Sequence, residues 1–518
     1  MVHPGADTWL LPDLLPAEGV LAALAAEFGL DIAPESGATV VYADSFDWRL
    51  YRQGCLLHCC GACWTLSHDD SGEVVVQQDG PELHASCVAA DFPPGRLREL
   101  LAPILGVRCL LPLATVHLRG RQIRLLNQDE KMVARVVLET QQAADSERQY
   151  RQIRLFGVRG YGDEQESVRR ILAAAGVSEP VSPLIAFEEG CRARGRTPLD
   201  YSSKFTLELG GGETARQAMA RVYLALLATI TRNIPGVLAD CDPEFLHDLR
   251  VAIRRTRSGL SLVKRVLPDA VTDRFSRAFG RLGALTGPTR DLDVYLLARE
   301  DCRQRLSPSL QPGLEEFFAG LSRQRRVEQK KLARALRAEK NTTTFNAWQR
   351  ALRRQDRQPA ELADQPVRDL AGRIILKRYK RVVREGRVLD AATPDAEVHR
   401  LRIQCKKLRY AMEFFGSLYP RQDLQTLIQH LKRLQDILGS FNDLSVQQEM
   451  IRQNLSHLAA RSRGDLDQAA ALGGLLQSLF QEQRDLRTHF AEAFAQFSDS
   501  TTSALFHQLF RKRQEPAS

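Results

Sequence analysis

One stretch of eleven residues occurs twice in this chain. His247-Asp-Leu-Arg-Val-Ala-Ile-Arg-Arg-Thr-Arg257 is matched by His399-Arg-Leu-Arg-Ile-Gln-Cys-Lys-Lys-Leu-Arg409, 152 positions later. The same offset, without a gap, pairs Pro268 with Pro420, Arg281-Leu282 with Arg433-Leu434, Gly287 with Gly439, and Asp291-Leu292 with Asp443-Leu444. Upstream it pairs Arg221 with Arg373 and Arg232 with Arg384. Chance does not hold one register over so many separated positions. A repeated unit of this kind covers its apolar face with its neighbour. The spacing therefore predicts two copies of one helical unit, about residues 213–305 and 364–460, facing each other with approximate two-fold symmetry.

Placed on a helix at about 100° per residue, His247, Arg250, Arg254 and Arg257 fall in one stripe about 80° wide. Arg255 points elsewhere. The second copy puts His399, Arg402, Lys406 and Arg409 in the same places, with Lys407 matching Arg255. Leu249, Ile253 and Leu260 form the apolar face, which borders the stripe. A merely solvated charge face sits opposite the core, whereas a stripe beside the core lines a groove between helices. Like charges this close repel unless an anion lies among them. Arginine offers a planar fork to phosphate oxygens, lysine a point charge and histidine a switchable donor. Further basic residues cluster nearby: Lys377, Arg378, Lys380, Arg381 and Arg384 before the second motif, and Arg281, Lys432 and Arg433 after the two motifs.

The chain divides by texture. Residues 1–209 read as α+β, with β-branched runs at Gly37–Tyr42, Glu73–Gln77 and Met132–Leu138 and helical stretches at Gly95–Leu105 and Glu164–Ala175. A short strand is expected at Phe205–Leu209, and Gly210-Gly-Gly212 marks the boundary. Residues 213–510 read as nearly all α. Helices are expected near 214–237, 243–266, 270–286, 290–305, 310–338, 364–388, 395–418, 422–438, 443–460 and 466–496, with disorder at the C-terminal end from residue 511. Charge follows the same division. Residues 1–210 hold 20 basic and 28 acidic side chains, and the remainder holds 52 and 35. A basic region beside an acidic one suits a polyanion, although a solvated basic surface has the same composition.

Other chemistries find little support. No apolar run was expected to reach a membrane span. The acidic start has no secretory leader, so a cytoplasmic protein is expected. Ten cysteines scattered through 518 residues read as reduced thiols. The cluster Cys55, Cys59, Cys60, Cys63 with His58 falls short of two ligand pairs, so neither a metal nor a cofactor is called for. Phosphate-loop, zinc-protease and serine-hydrolase motifs are absent.

The two motifs, with Gly439-Ser-Phe-Asn-Asp-Leu444, resemble the CHAD family, the conserved-histidine α-helical domain, over about residues 213–505. The resemblance implies two four-helix bundles around a basic channel that binds inorganic polyphosphate, often at polyphosphate granules and with other granule proteins. It makes His247, Arg250, Arg254, Arg255, Arg257, His399, Arg402, Lys406, Lys407 and Arg409 the candidate ligands. The first copy departs from the family at Gly287-Pro-Thr-Arg-Asp291, where proline alters the expected glycine turn. Residues 1–209 resemble a CYTH domain, an antiparallel triphosphate tunnel, through Val41–Tyr51, the Arg-rich Leu113–Glu139 with Arg119, Arg121, Arg124 and Lys131, and Ser203-Lys-Phe205. The Glu-x-Glu-x-Lys start is missing, with Asp7-Thr-Trp-Leu-Leu-Pro12 in its place, so the tunnel is expected to be degenerate and inactive. The expected function is non-enzymatic polyphosphate binding. A triphosphate or polyphosphate hydrolase, a nucleic-acid-binding helical protein and a granule or nucleoid scaffold are the alternatives.

Overall fold

The computed structural model describes residues 7–69, 73–354, 360–390, 393–458 and 462–511. The end of the helix expected to reach 460 and nearly all of the expected C-terminal disorder lie outside those residues. The chain forms two compact units, Met1–Lys204 and Phe205–Ser518.

The first unit is an antiparallel sheet with helices. Its strands are β1 (Asp7–Leu10), β2 (Gly29–Ile32), β3 (Ser36–Asp44), β4 (Cys55–Cys60), β5 (Cys63–His68), β6 (Val74–Asp79), β7 (Leu111–Leu126), β8 (Met132–Ala143) and β9 (Gln149–Gly157). Their order is β1-β9-β8-β7-β3-β4-β5-β6, with β2 also beside β7. Alternation sorts each strand into two faces. Val136, Leu138, Ile153 and Leu155 pack with Val20 and Leu24 of α1 (Ala17–Ala25) and Val168 and Leu172 of α3 (Gly162–Ala174). Leu57, Trp64 and Leu66 pack with Leu97, Leu101 and Leu105 of α2 (Arg96–Leu105). The fourth helix, α4 (Ile185–Ala193), packs on β7.

The second unit is helical: α5 (Ala215–Ala239), α6 (Pro243–Leu262), α7 (Asp269–Leu285), α8 (Gly287–Leu297), α9 (Arg299–Gln304), α10 (Leu314–Arg337), α11 (Glu339–Arg353), α12 (Val367–Gly386), α13 (Asp395–Phe415), α14 (Arg421–His457), α15 (Arg463–Phe497) and α16 (Ser500–Phe510). Asp242 caps α6 by accepting from the Glu244 and Phe245 amides, and Pro243 starts the helix without needing a donor. Gly236 allows close approach of α5 and α6, because a Cβ there would lie 2.3 Å from the Phe245 ring.

The two-fold relation is visible in the backbone. The Ala215 amide donates to the Gln365 carbonyl at 2.8 Å, and the Val367 amide donates to the Glu213 carbonyl at 3.0 Å. Moving each residue by 152 into the other copy turns donor Ala215 into Val367 and acceptor Gln365 into Glu213, as a two-fold axis requires. α6 and α13, the motif helices, pack against each other.

Several expectations change. Phe205–Leu209 is not a strand. It belongs to the helical unit, with the Phe205 ring 5.7 Å from Phe414 and the Leu209 amide on Ser417 Oγ at 3.0 Å. The boundary therefore precedes the glycines. The helices expected at 422–438 and 443–460 are one helix, α14, because Gly439 lies within a continuous buried row of Leu434, Leu438, Phe441 and Leu444. Helix α11 was not foreseen, and neither was α16. α5 is, by length and composition, apolar enough to cross a membrane, contrary to the sequence expectation. Here Met219, Val222, Leu226 and Ile230 are buried, and α5 packs on α6, α10, α11 and α12, as a bundle's core helix does.

Candidate polyanion-binding site

The motif stripes meet where α6 faces α13. Lys406 lies within the field of Arg402 on its own helix and of Arg254 and Arg250 on the other copy. Burial first, and then these three cations, push its ammonium down to about 8, against the pull of Asp443. Arg402, with its side chain 16% exposed, is lowered by burial and by Arg254. Arg250 is lowered by burial and by Arg254, Arg290 and Arg257. The Nε atoms of Arg254 and Arg402 are buried and make no hydrogen bond. Four cations from two copies thus share one partly buried region.

Their counter-charges are also repeated. Arg250 stands 3.8 Å from Asp291, and Arg402 stands 3.2 Å from Asp443. Both carboxylates are exposed, at 62% and 60%. Tyr295 of α8 feels both of them, and burial together with these charges raises its phenol. Arg250 also donates to the Gly283 carbonyl at 3.0 Å and to Thr286 Oγ1 at 3.3 Å. Those groups become available where Pro288 separates α7 from α8, and a cation suits a helix C-terminus.

The remaining candidates are distributed more widely than one stripe. Arg255 is engaged within the fold: it forks onto Glu413 at 3.1 and 2.7 Å, with only 13% exposure. Arg409 binds the other oxygen of Glu413 at 2.8 Å and Gln435 at 3.3 Å. Lys407 faces α12, where burial, Arg378 and Arg381 lower it against the pull of Glu385. Arg378 is lowered by burial and Arg381, and it donates to Gln404 at 3.4 Å. Arg381 pairs with Glu385 at 2.5 Å. His247 is half-buried, whereas His399 is exposed and meets Asn442. Arg257 is exposed, and a Cβ on Gly283 would lie 2.9 Å from its Nη1. Arg221 is held by Glu213 and the Glu208 carbonyl, and its equivalent Arg373 by Gln365. Lys377, Lys380, Arg281 and Lys432 are exposed on the helix exteriors. Arg433 is exposed too and donates to Gln496 at 2.9 Å.

Sequence reasoning missed Arg290, which acts on Arg250 and Asp291 and lies 3.9 Å from Glu244. It also missed Glu413, which ties the motif helices together. Glu413 stands 158 positions from Arg255, so no local pattern could reveal the pair.

In the first unit the expected basic strand residues Arg119, Arg124 and Lys131 are exposed. Arg124 pairs with Asp31 at 3.1 Å, and Lys131 with Asp129 at 3.7 Å. Arg121 is half-buried. A different polar group occupies the sheet face away from α1 and α3. Glu139 accepts from Gln141 at 2.8 Å and Gln152 at 2.5 Å, and lies 3.7 Å from Arg154. The alternation of Glu139 and Gln141 with buried Leu138, and of Gln152 and Arg154 with Ile153 and Leu155, was the available signal.

The second unit is thus a duplicated all-α domain whose motif helices meet at a cluster of cations. Its family follows from sequence: residues 221–452 match the CHAD domain, and this part of the chain is a CHAD domain. The crystal structure of the CHAD domain from the plant Ricinus communis is 26% identical, with TM-score 0.47, covering 56% of this chain and 95% of that one. PptA from Streptomyces chartreusis is 16% identical, with TM-score 0.43, covering 55% and 99%. A Bacillus halodurans protein described as an adenylate cyclase is 13% identical, with TM-score 0.24, covering 34% and 91%. All three scores lie below 0.5, so the assignment rests on the family match and the repeat. No curated protein matches the chain.

Proposed function

We propose that the helical unit binds inorganic polyphosphate where Arg250 and Arg254 of one copy meet Arg402 and Lys406 of the other. One observation carries the reading: a lysine half-buried among three arginines, with its ammonium pushed down to about 8. Holding these cations together costs desolvation and repulsion, and a chain of phosphates relieves both. Polyphosphate has no bases to stack. Tyr379 and Tyr410, the two tyrosines flanking the second motif, are both buried, and Tyr379 stacks on Phe506 at 3.9 Å. Nucleic acid therefore lacks the stacking that usually supports single-strand binding. Arg255, Arg221 and Arg373 are assigned to holding the fold. Such a ligand would place the protein at polyphosphate granules in the cytoplasm, beside other granule proteins.

For residues 1–204 we read a CYTH-like sheet without hydrolytic activity. Asp7, the carboxylate on β1, is held by Arg169 at 2.7 Å, and Glu139 is engaged by Gln141, Gln152 and Arg154. Metal-assisted hydrolysis needs convergent carboxylates open to a cation. Magnesium-dependent phosphate release from triphosphate by the purified chain would overturn this reading.

The direct test is a titration with long-chain polyphosphate at near-physiological salt, with DNA of matched charge as competitor. Arg250→Ala, Arg254→Ala, Arg402→Ala and Lys406→Ala combined should abolish measurable binding, and DNA should not displace the ligand from the parent protein. Equal binding to DNA, or an unaffected variant, would reduce the site to a general basic surface.

A further inference from the structure

The cysteine cluster singled out in the sequence plays no part in polyanion binding, and the strands sort it. Cys60 ends β4, Cys63 begins β5, and the two stand directly opposite each other. Only Gly61-Ala62 joins them, with Gly61 at φ 58°, the position at which a two-residue hairpin turn takes glycine. Opposed Cα atoms in an antiparallel pair are about 4.5–5.5 Å apart. A disulfide spans about 4.4–6.8 Å between Cα atoms, so the pair lies within bridging reach. Opposed side chains also share one face of the sheet. Cys60 is exposed and Cys63 half-exposed. Gln77 Nε2 donates to Cys63 Sγ at 3.0 Å, which orients this sulfur.

Cys55 is half-exposed but stands opposite His68 at the far end of β4. Cys59 lies on the opposite face, buried with Leu57 and Trp64, and burial pushes its thiol up. Cys87, Cys109, Cys191, Cys302 and Cys405 are buried. A bound metal fits poorly. Among the described residues no group of three or more His, Cys, Asp or Glu could hold one, whereas a thiolate zinc site needs four ligands.

We propose that Cys60 and Cys63 form a reversible dithiol–disulfide couple at the β4–β5 hairpin tip, reacting with small-molecule disulfides of the glutathione class. One thiolate attacks the small disulfide, forms a mixed disulfide and releases one small thiolate. The second cysteine then attacks the protein-side sulfur, forms Cys60–Cys63 and releases the other small thiolate. Two protein thiols are oxidised, one small disulfide is reduced to two thiols, and the protons pass to solvent or to the released thiolates. The couple closes the tip across its turn and locks the β4–β5 register.

The test equilibrates the full chain in glutathione buffers from fully reduced to fully oxidised. The samples are then quenched with acid, alkylated, digested and analysed by mass spectrometry. Oxidising buffers should remove both alkyl groups from the peptide carrying Cys60 and Cys63, leaving one internal disulfide that reducing buffers reverse. Cys60→Ser should leave Cys63 carrying one glutathione, and Cys63→Ser the reverse, with circular dichroism showing that both variants fold. Persistent alkylation of both thiols in oxidised glutathione would overturn the proposal. So would a disulfide joining two chains or another cysteine pair.

Discussion

Position 288 is proline in the first copy of the repeat, and its equivalent in the second, 152 residues on, is Ser440. Proline has no N–H to continue a helix, so α7 stops and α8 begins. The second copy runs straight through the same point as α14. The break gives Arg250 a docking place on Gly283 and Thr286, whereas Arg402 leans on Asp443 instead. The flanking position diverges further. Arg255 is neutralised by Glu413, and its counterpart Lys407 sits among Arg378, Arg381 and a single acid. The two copies thus conserve where positive charge is placed and vary what holds it there. Under the proposed polyanion reading, the field of these cations matters more than any one side chain's hydrogen bonds.

The most direct way to break this comparison is to strip the cations one copy at a time. Arg250→Ala with Arg254→Ala, and separately Arg402→Ala with Lys406→Ala, should each weaken polyphosphate binding. A charge-assisted contact contributes about 1.5–3 kcal/mol, so each pair should lose roughly 10²-fold or more. Calorimetric titration reads this directly. If only one pair matters, the site belongs to one copy and the two-fold argument fails.

Next in size is stability. Glu413→Ala leaves Arg255 with 13% exposure and no carboxylate, which should cost about 3 kcal/mol in urea unfolding. Lys407→Ala, at the equivalent of Arg255, should change stability by less than about 0.5 kcal/mol, since it also removes repulsion from Arg378 and Arg381. Equal costs would mean that the two positions play the same role after all.

At near-neutral pH a smaller effect comes from titration. Lys406 is surrounded by Arg250 and Arg254 on α6, Arg402 on α13 and Asp443 on α14, and it loses its proton near pH 8 in the free protein. A bound polyanion keeps the proton in place. Between about pH 8 and the ordinary lysine value near 10.4, binding takes up a proton, so affinity should fall as pH rises, by up to about tenfold per unit. Below pH 7 this contribution is flat. Folding has the opposite sign: the unfolded chain holds that proton more tightly, so stability rises with pH across the same window. Lys406→Arg should keep affinity at pH 7 and remove the decline. A decline that survives this substitution assigns the titration to another group.

How much of this was legible in the sequence depended on the range of each interaction. The repeat, its two-fold pairing and the stripe of Arg250, Arg254, Arg402 and Lys406 follow from local periodicity and one constant offset. Gly439 misled the reading because glycine often ends a helix, and its tolerance inside α14 depends on Leu434, Leu438, Phe441 and Leu444 being buried on either side. Arg255 pointed off the stripe and was a candidate only through the family resemblance; its carboxylate, Glu413, comes from a distant residue and could not be read locally. Asp291 and Asp443 were visible as repeated acids, but their place beside Arg250 and Arg402 needed the helices to be assembled.

Those two carboxylates give the finest test of the comparison. Each competes with an anionic ligand for its arginine, and each is about three-fifths exposed, so solvent screens the competition. Asp291→Asn and Asp443→Asn should therefore tighten polyphosphate binding only modestly, by roughly two- to fivefold, the range of exposed ion pairs. Asp443 is closer to its arginine, at 3.2 Å against 3.8 Å, and Arg402 lacks the helix-end carbonyl that also holds Arg250. Asp443→Asn should accordingly have the larger effect, and raising the salt should shrink both. If either substitution weakened binding instead, its carboxylate would be positioning the arginine for the phosphates rather than competing with them.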